Sequence, residues 1–123
     1  MIYSKQREII YNAMKDNRSH PTADELYNQL KPKNPQLSIG TVYRNLNLLV
    51  EKGLIDRIKV PNGPDRFDRK DSPHYHMICK VCGKAFDIPK SYIEINKNAL
   101  NKDDIALVEE LNVICYGKCR DCI

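Results

Sequence analysis

The chain has 123 residues, of which 41% are hydrophobic, and a formal net charge of +4. This length allows one or two small domains with modest cores, which a structural metal or dimerisation helps to stabilise. No apolar run approaches the roughly 18 residues needed to cross a membrane, and the start lacks the apolar core of a secretory signal, so membrane and secreted classes are excluded and a cytoplasmic protein is predicted.

The N-terminal half begins with two amphipathic helices. Apolar residues recur at helical spacing over residues 4–16. A loop through His20 follows, and Thr22 with Glu25 three residues later has the pattern of a capping box. Apolar residues then recur at helical spacing until Pro32, which ends the second helix.

A third helix is predicted from Ser38, a favoured N-cap residue, to about Lys52, with Gly53 at the C′ position. The predicted apolar face consists of Ile39, Val42, Leu46, Leu49 and Val50, and the opposite face carries Thr41, Tyr43, Arg44, Asn45 and Asn47. The polar side chains of the opposite face can contact base edges or phosphates in a major groove. Four of them are candidate DNA contacts: Thr41, Tyr43, Arg44 and Asn47. A polar helix face can equally be only solvated, so both interpretations stay open at this point.

A hairpin follows the third helix. Residues 54–60 alternate apolar and charged side chains as an exposed strand does, residues 61–64 form a turn, and residues 66–67 return as a second strand. A supporting helix, two helices joined by a short turn and this wing predict a winged helix-turn-helix DNA-binding domain over residues 1–68. The wing side chains of Arg57, Lys59 and Arg66 are candidates for contacts with the DNA backbone.

A polar hinge at residues 69–73 leads to a second domain at residues 74–123. Short strands at residues 77–79 and 85–88 surround a Cys-Lys-Val-Cys-Gly knuckle, and a helix is predicted over residues 91–101, with one or two strands over residues 105–115. The predicted fold class is therefore α+β: an N-terminal winged helix-turn-helix domain and a small C-terminal α/β dimerisation domain with a structural zinc.

The zinc prediction rests on two Cys-x-x-Cys pairs, Cys79 with Cys82 and Cys119 with Cys122. A tetrahedral zinc takes four thiolates, and a two-residue spacer lets one tight turn present two of them. Redox pairs or unrelated buried thiols are the alternative. The fifth cysteine, Cys115, stands outside the pairs, either as a buried free thiol or as a reactive one.

A second candidate site has nitrogen and oxygen donors. His74 and His76 fall on one side of an extended segment, because strand side chains repeat every two residues. Asp87, on the strand after the knuckle, can fold back toward them, and Asp68 and His20 are further candidates. Such a set suits Fe(II), Mn(II), Co(II) or Zn(II). Alternatively, the histidines bind no metal and His20 is an exposed loop residue.

Several runs together resemble the ferric uptake regulator superfamily of bacterial metal-dependent repressors, over nearly the whole chain and in order. These runs are residues 20–27 (HPTADELY), 37–46 (LSIGTVYRNL), 66–68 (RFD), 74–79 (HYHMIC), 82–84 (CGK) and 116–119 (YGKC). The peroxide-sensing branch is the most similar, because all five positions of its sensing site are filled, by His20, Asp68, His74, His76 and Asp87. Iron-sensing relatives typically carry glutamate at the position of Asp87.

The resemblance implies a homodimeric repressor that binds an inverted-repeat, double-stranded DNA operator when Fe(II) or Mn(II) fills the regulatory site. It also implies the switch: bound Fe(II) reacts with hydrogen peroxide, the radical formed oxidises His20 or His74, and the metal and the DNA are released. An iron- or zinc-availability sensor of the same superfamily is the alternative. A small metal or thiol redox enzyme is a remote one, for which the sequence shows no general base or substrate pocket.

Overall fold

The computed structural model describes residues 5–61, 63–70, 74–105, 107–109 and 111–123. The chain forms two compact units, residues 1–72 and 73–123. Helices and a hairpin build the first unit, and a three-stranded sheet with short helices builds the second, which confirms the predicted α+β fold class. Four predictions fall partly outside the described residues: the helix start at Ser4, Asn62 in the wing turn, residues 71–73 of the hinge, and residues 106 and 110 of the predicted strands.

Three helices form the first unit: α1 at Lys5–Met14, α2 at Ala23–Leu30 and α3 at Ile39–Glu51. The predicted capping box at the start of α2 is confirmed. The Glu25 backbone N–H donates to Thr22 Oγ1 at 3.1 Å, and the Thr22 N–H donates to Glu25 Oε1 at 2.9 Å. Two otherwise unsatisfied backbone donors of the helix end are thereby paired.

The start and end of α3 also follow the prediction. Ser38 Oγ accepts the Thr41 N–H at 3.2 Å, and Gly53 lies just beyond the helix with a φ of 73°. That conformation is one that glycine adopts without steric cost, so the chain turns there into the hairpin. At 13 residues α3 is the longest described helix, and among the described residues no helix combines the length and hydropathy needed to cross a bilayer.

The core of the first unit draws on all three helices and the hairpin. Its fully buried members are Ile10, Met14, Ala23, Leu26, Leu37, Val42, Leu46, Leu49, Ile55 and Phe67. Two residues of α3 differ from the prediction: Ile39 is 36% exposed, and Asn45 is only 8% exposed. The Asn45 side-chain amide donates to the Thr41 carbonyl at 2.8 Å, which satisfies the buried amide inside the helix.

We expect Leu46→Ala to lower the free energy of unfolding of the first unit by about 2–5 kcal/mol, because truncating a buried leucine leaves a cavity. Leu46 is 0% exposed, whereas Leu54, in the same unit, is 40% exposed. Leu54→Ala is therefore the matched control, with an expected change within about 0.5 kcal/mol. Urea unfolding of the zinc-loaded protein measures both, and equal losses would contradict the core position of Leu46.

The wing is an antiparallel hairpin of β1, Ile55–Ile58, and β2, Arg66–Arg69. Strand β2 runs two residues beyond the predicted end, because Asp68 pairs with Asp56 and Arg69 pairs with Ile55 in the hairpin register. Arg69, predicted to belong to the hinge, is consequently part of the sheet and only 4% exposed.

The second unit is a three-stranded sheet in the order β4-β3-β5. The strands are β3 at His74–Cys79, β4 at Ala85–Pro89 and β5 at Ile114–Gly117. The central strand β3 pairs antiparallel with β4 and parallel with β5. Strand β3 and the turn that follows it carry both histidines and the first cysteine pair.

In the second unit one prediction was wrong and another is confirmed only in part. The helix expected over residues 91–101 is reduced to α4, Lys97–Leu100, because the Asn96 side chain accepts the Ala99 N–H at 3.1 Å and starts the helix there. Of the one or two strands expected over residues 105–115, the described residues form one, β5, which begins at Ile114 and runs to Gly117. The Val108 N–H donates at 2.9 Å to the Asn101 side chain instead of to a strand.

Candidate metal centres and DNA-binding face

Four cysteines of the second unit meet in one cluster. The Sγ atoms of Cys79, Cys82, Cys119 and Cys122 all lie within 4.8 Å of one another, and those of Cys82 and Cys119 are 3.8 Å apart. Thiolates placed 2.3 Å from a tetrahedral zinc are about 3.8 Å apart. The cluster therefore has the donor set and the size of a four-thiolate zinc site.

The sheet explains how two pairs so distant in sequence come together. Cys79 is the last residue of β3, and the following turn closes at Gly83, whose φ is 76° and whose N–H donates to the Cys79 carbonyl at 2.9 Å. The Lys80 N–H donates to the Gly117 carbonyl at 2.7 Å, which extends the parallel β3–β5 pairing. The segment that carries Cys119 and Cys122 is thereby placed beside the turn.

The thiols of the cluster differ in pKa. The backbone N–H groups of Cys82 and Cys119 each lie 3.4 Å from Cys79 Sγ and lower the pKa of Cys79 to about 6. Its hydrogen bond with Cys119 and its burial raise the pKa of Cys122 to about 12. In the metal-free cluster these surroundings favour the thiolate form of Cys79 and the protonated form of Cys122, so a zinc ion held by both would displace a proton from Cys122.

Cys115 is separate from this cluster. It lies on β5, opposite Met77 of β3, and is half-buried. It is not among the four clustered cysteines, so the structure keeps it apart from the candidate zinc ligands. Both interpretations of Cys115, an inert buried thiol and a reactive one, stay predictions.

Within the second unit, three predicted regulatory ligands converge. His74 Nε2 lies 3.2 Å and His76 Nε2 lies 3.7 Å from Asp87 Oδ1, and the two imidazole centroids are 4.7 Å apart. The β3–β4 register explains this, because His76 pairs directly with Asp87 and His74 projects to the same side two residues earlier. Two imidazoles and a carboxylate in this arrangement can bind a divalent transition metal.

Within the first unit, the other two predicted ligands lie side by side. His20 Nε2 is 3.6 Å from Asp68 Oδ1, and the Asp68 side chain is fully buried, with the Arg69 guanidinium 3.3 Å away. His20 itself is only 3% exposed, which contradicts the alternative of an exposed loop residue. Its φ of 53° is left-handed, a conformation that costs an L-residue about 1–2 kcal/mol.

The candidate DNA-binding face of α3 is mostly exposed. Tyr43 is 42% exposed, and Arg44 and Asn47 also face solvent. Thr41 is only 9% exposed, and its hydroxyl is hydrogen-bonded to Ser38 Oγ and to the Arg44 guanidinium, at 2.9 and 3.1 Å. The geometry therefore favours the other three side chains as direct contacts and Thr41 as support for Arg44.

Two wing arginines have intramolecular partners that the sequence did not reveal. Arg57 donates to Asp65 at 3.0 Å and to the Asn47 side chain, and its guanidinium lies 5.3 Å from the Phe67 ring centroid. Arg66 donates to the His20 carbonyl at 2.9 Å and to Glu25 at 3.0 Å. The alternation of β1 and β2 places these side chains, but the partners of Arg66 lie 46 and 41 residues away in sequence. Lys59 is exposed.

Comparison with known proteins agrees with these features. The sequence model of the ferric uptake regulator family matches residues 1–116. The peroxide-responsive repressor PerR of Staphylococcus epidermidis is 35% identical over 118 residues, covering 95% of this chain and 78% of the relative. Among solved structures, the Campylobacter jejuni peroxide stress regulator has a TM-score of 0.79 and 34% identity, covering 95% of this chain and 88% of that one. The Helicobacter pylori ferric uptake regulator, described as having three functional metal-binding sites, has a TM-score of 0.86 and 26% identity, covering 99% of this chain and 82% of that one.

Proposed function

The chain belongs to the ferric uptake regulator family, and we propose that it is a homodimeric, metal-dependent repressor that hydrogen peroxide releases from an inverted-repeat operator. The observation that carries the proposal is the donor set of three imidazoles and two carboxylates, with aspartate at position 87. The similarity to relatives named as peroxide-responsive repressors supports the same assignment and favours a regulator over an enzyme.

In this proposal Fe(II) or Mn(II) is bound by His20, Asp68, His74, His76 and Asp87. Imidazole and carboxylate donors suit both ions better than a thiolate site does. The convergence of His74, His76 and Asp87 in one unit, and of His20 and Asp68 in the other, supports the two halves of the set. One ion shared by both halves fixes the angle between the units, and hence the spacing of two α3 helices in a dimer.

Fe(II) held by these residues would supply the electron that cleaves the O–O bond of hydrogen peroxide. His20 and His74 are the proposed targets: one peroxide oxygen would add to an imidazole ring carbon, and the adduct would return one electron to the iron and release the proton of that carbon. The other peroxide oxygen, left as hydroxide, would take up that proton and leave as water. An oxidised imidazole is a poorer ligand, so the donor set loses a member and no longer holds the metal. With Mn(II) bound, the same residues support operator binding without this oxidation.

The four clustered cysteines are proposed to hold a structural zinc. Four thiolates leave no open position for a substrate or for peroxide, which is typical of structural sites. Few apolar side chains are buried among the described residues of the second unit, Tyr75, Ile78 and Ala85 among them. A bound metal would therefore contribute substantially to its stability.

The proposed operator contact is the exposed face of α3, with Tyr43, Arg44 and Asn47 entering a major groove. Thr41 positions Arg44 through the hydrogen bond between their side chains. Lys59, on the wing, is proposed to contact a phosphate. Because an inverted repeat has two half-sites, each protomer of the dimer supplies one α3.

We expect operator affinity to depend on the regulatory metal by about 5–150-fold, the usual range of coupling between two sites. The operator is first selected from random DNA with Mn(II)-loaded protein, and binding is then measured by fluorescence anisotropy at one fixed salt concentration. Wild-type protein with Mn(II) should bind tightly, and both metal-free protein and His74→Ala should bind weakly. Cys115→Ser is the control and should match wild type. Equal affinity with and without metal would contradict the proposal.

The alternative is a sensor of iron or zinc availability that uses the same residues reversibly. The fold similarity to the Helicobacter pylori ferric uptake regulator favours it as the second candidate. Operator binding that follows metal supply, with no oxidation of histidine after peroxide treatment of the Fe(II) form, would support this alternative over peroxide sensing.

A further inference from the structure

The loop that carries His20 is attached to strand β2 of the wing. The Phe67 N–H donates to the Pro21 carbonyl at 2.9 Å, and Thr22 forms an isolated antiparallel bridge with Arg66. Residues 20–22 thus run along β2, the strand that also carries Asp68. The two proposed ligands of the first unit are therefore held by one small piece of sheet.

The Arg66 side chain adds a further connection on the same strand. One guanidinium nitrogen, Nη1, donates both to the His20 carbonyl at 2.9 Å and to Glu25 Oε1 at 3.0 Å. The same Glu25 oxygen accepts the Thr22 N–H in the capping box of α2. Arg66 therefore joins the His20 backbone to the first turn of α2, and its side chain is only 11% exposed.

The conformation of His20 requires such a connection. A histidine with a φ of 53° is uncommon, and a left-handed residue persists only where its surroundings fix it. This backbone conformation sets the direction of the His20 carbonyl, and the Arg66 guanidinium donates a hydrogen bond to that carbonyl. In this conformation the buried imidazole lies 3.6 Å from Asp68.

We propose that Arg66 is a positioning residue for the regulatory metal site: it holds the His20 carbonyl and so orients the His20 imidazole toward the metal. This inference rests on the proposed function, because it takes His20 to be a ligand. Arg66 acts through His20 and does not itself touch the ion. The pKa of Glu25 agrees with an ionised partner: burial raises it, but the Thr22 N–H and the charge of Arg66 outweigh burial and lower it.

The test measures Mn(II) affinity in the zinc-loaded, full-length protein, with free Mn(II) counted by electron paramagnetic resonance. Arg66→Met keeps the length of the side chain and removes its donors. We expect a 10–100-fold weaker affinity, the usual loss when a group that orients a metal ligand is removed. Arg57→Met is the matched control, since Arg57 is also a wing arginine paired with a carboxylate but contacts Asn47, Asp65 and Phe67. Its affinity should match wild type.

Glu25→Gln is a milder second variant. Glutamine preserves the capping box but removes the charge that helps to anchor Arg66, so a smaller loss in the same direction is expected. This variant keeps the test decisive if Arg66→Met does not fold, which thermal unfolding and zinc content will show. Unchanged Mn(II) affinity in Glu25→Gln together with an unfolded Arg66→Met would overturn the positioning role in favour of a general structural one.

A double-mutant cycle separates this role from a general effect on the fold. If Arg66 acts through His20, Arg66→Met should weaken Mn(II) binding no further in a His20→Ala background. An equal loss in both backgrounds, or an equal loss in Arg57→Met, would overturn the inference. If His20→Ala alone leaves Mn(II) affinity unchanged, the ligand assignment itself is wrong. If His20→Ala weakens binding and Arg66→Met does not, only the positioning role is refuted.

Discussion

Hydrogen peroxide added to the Fe(II)-loaded protein is expected to weaken operator binding and to add one oxygen atom to His20 or His74. The physical reason is proximity: an oxidant generated at a bound ion reacts first with the side chains that hold that ion. The expected loss of operator affinity is as large as that caused by complete removal of the metal, about 5–150-fold. The Mn(II)-loaded protein is the control: both histidines should stay unoxidised, and the protein should stay bound to its operator.

Tryptic digestion and mass spectrometry locate the oxygen. His20 falls in the peptide of residues 19–33, whereas His74, His76, Met77 and Cys79 share the peptide of residues 71–80. Fragment ions are therefore needed to separate His74 from His76, and from Met77, which also gains one oxygen when oxidised. Oxidation confined to cysteine and methionine, with operator binding lost all the same, would refute the histidine mechanism.

Cys119→Ser is expected to unfold the second unit and leave the first one folded. Removing one thiolate from a four-thiolate site forfeits much of a zinc-binding free energy that is on the order of 10 kcal/mol in small zinc domains. The first unit keeps its own apolar core, built from ten fully buried side chains. The loss of structure should therefore be confined to the second unit.

Hydrogen exchange read separately for residues 5–70 and 74–123, together with zinc content and sedimentation, measures this effect. In Cys119→Ser the second range should lose protection, and the dimer should dissociate, while the first range stays protected. Cys115→Ser is the matched control, because Cys115 lies on the same sheet but outside the cluster, and it should keep zinc, fold and dimer. Full protection of residues 74–123 without zinc would show that the cysteines have another role.

Local features were predicted well from the sequence where residues only two or three positions apart determine them. Thr22 and Glu25 form the capping box because three residues separate them, and Ser38 starts α3 for a similar reason. His74 and His76 share a side of β3 because extended chain repeats every two residues. The size of the cysteine cluster follows from the two-residue spacers together with the β3–β5 pairing.

Features that depend on distant partners were beyond such reasoning. The partners of Arg66 lie 46 and 41 residues away in sequence, so the pattern around Arg66 showed only a charged strand residue. The expected helix over residues 91–101 was wrong, and the expected one or two strands over residues 105–115 are confirmed only from Ile114 onward. Single side chains, Asn96 and Asn101, bind backbone groups that continuous elements need. The burial of Thr41 likewise depends on how α3 packs.

The parallel pairing of β3 with β5 also sets the order in which the protein can be completed during synthesis. Cys79 accepts a hydrogen bond from the backbone of Cys119, 40 residues later, so the ribosome must deliver β5 before the sheet and the cysteine cluster can close. Every contact of the first unit's core is available well before then, and N-terminal units generally fold first. A nascent chain can therefore complete the helical unit and the β3–β4 hairpin, with His76 opposite Asp87, before β5 and the second cysteine pair have been synthesised.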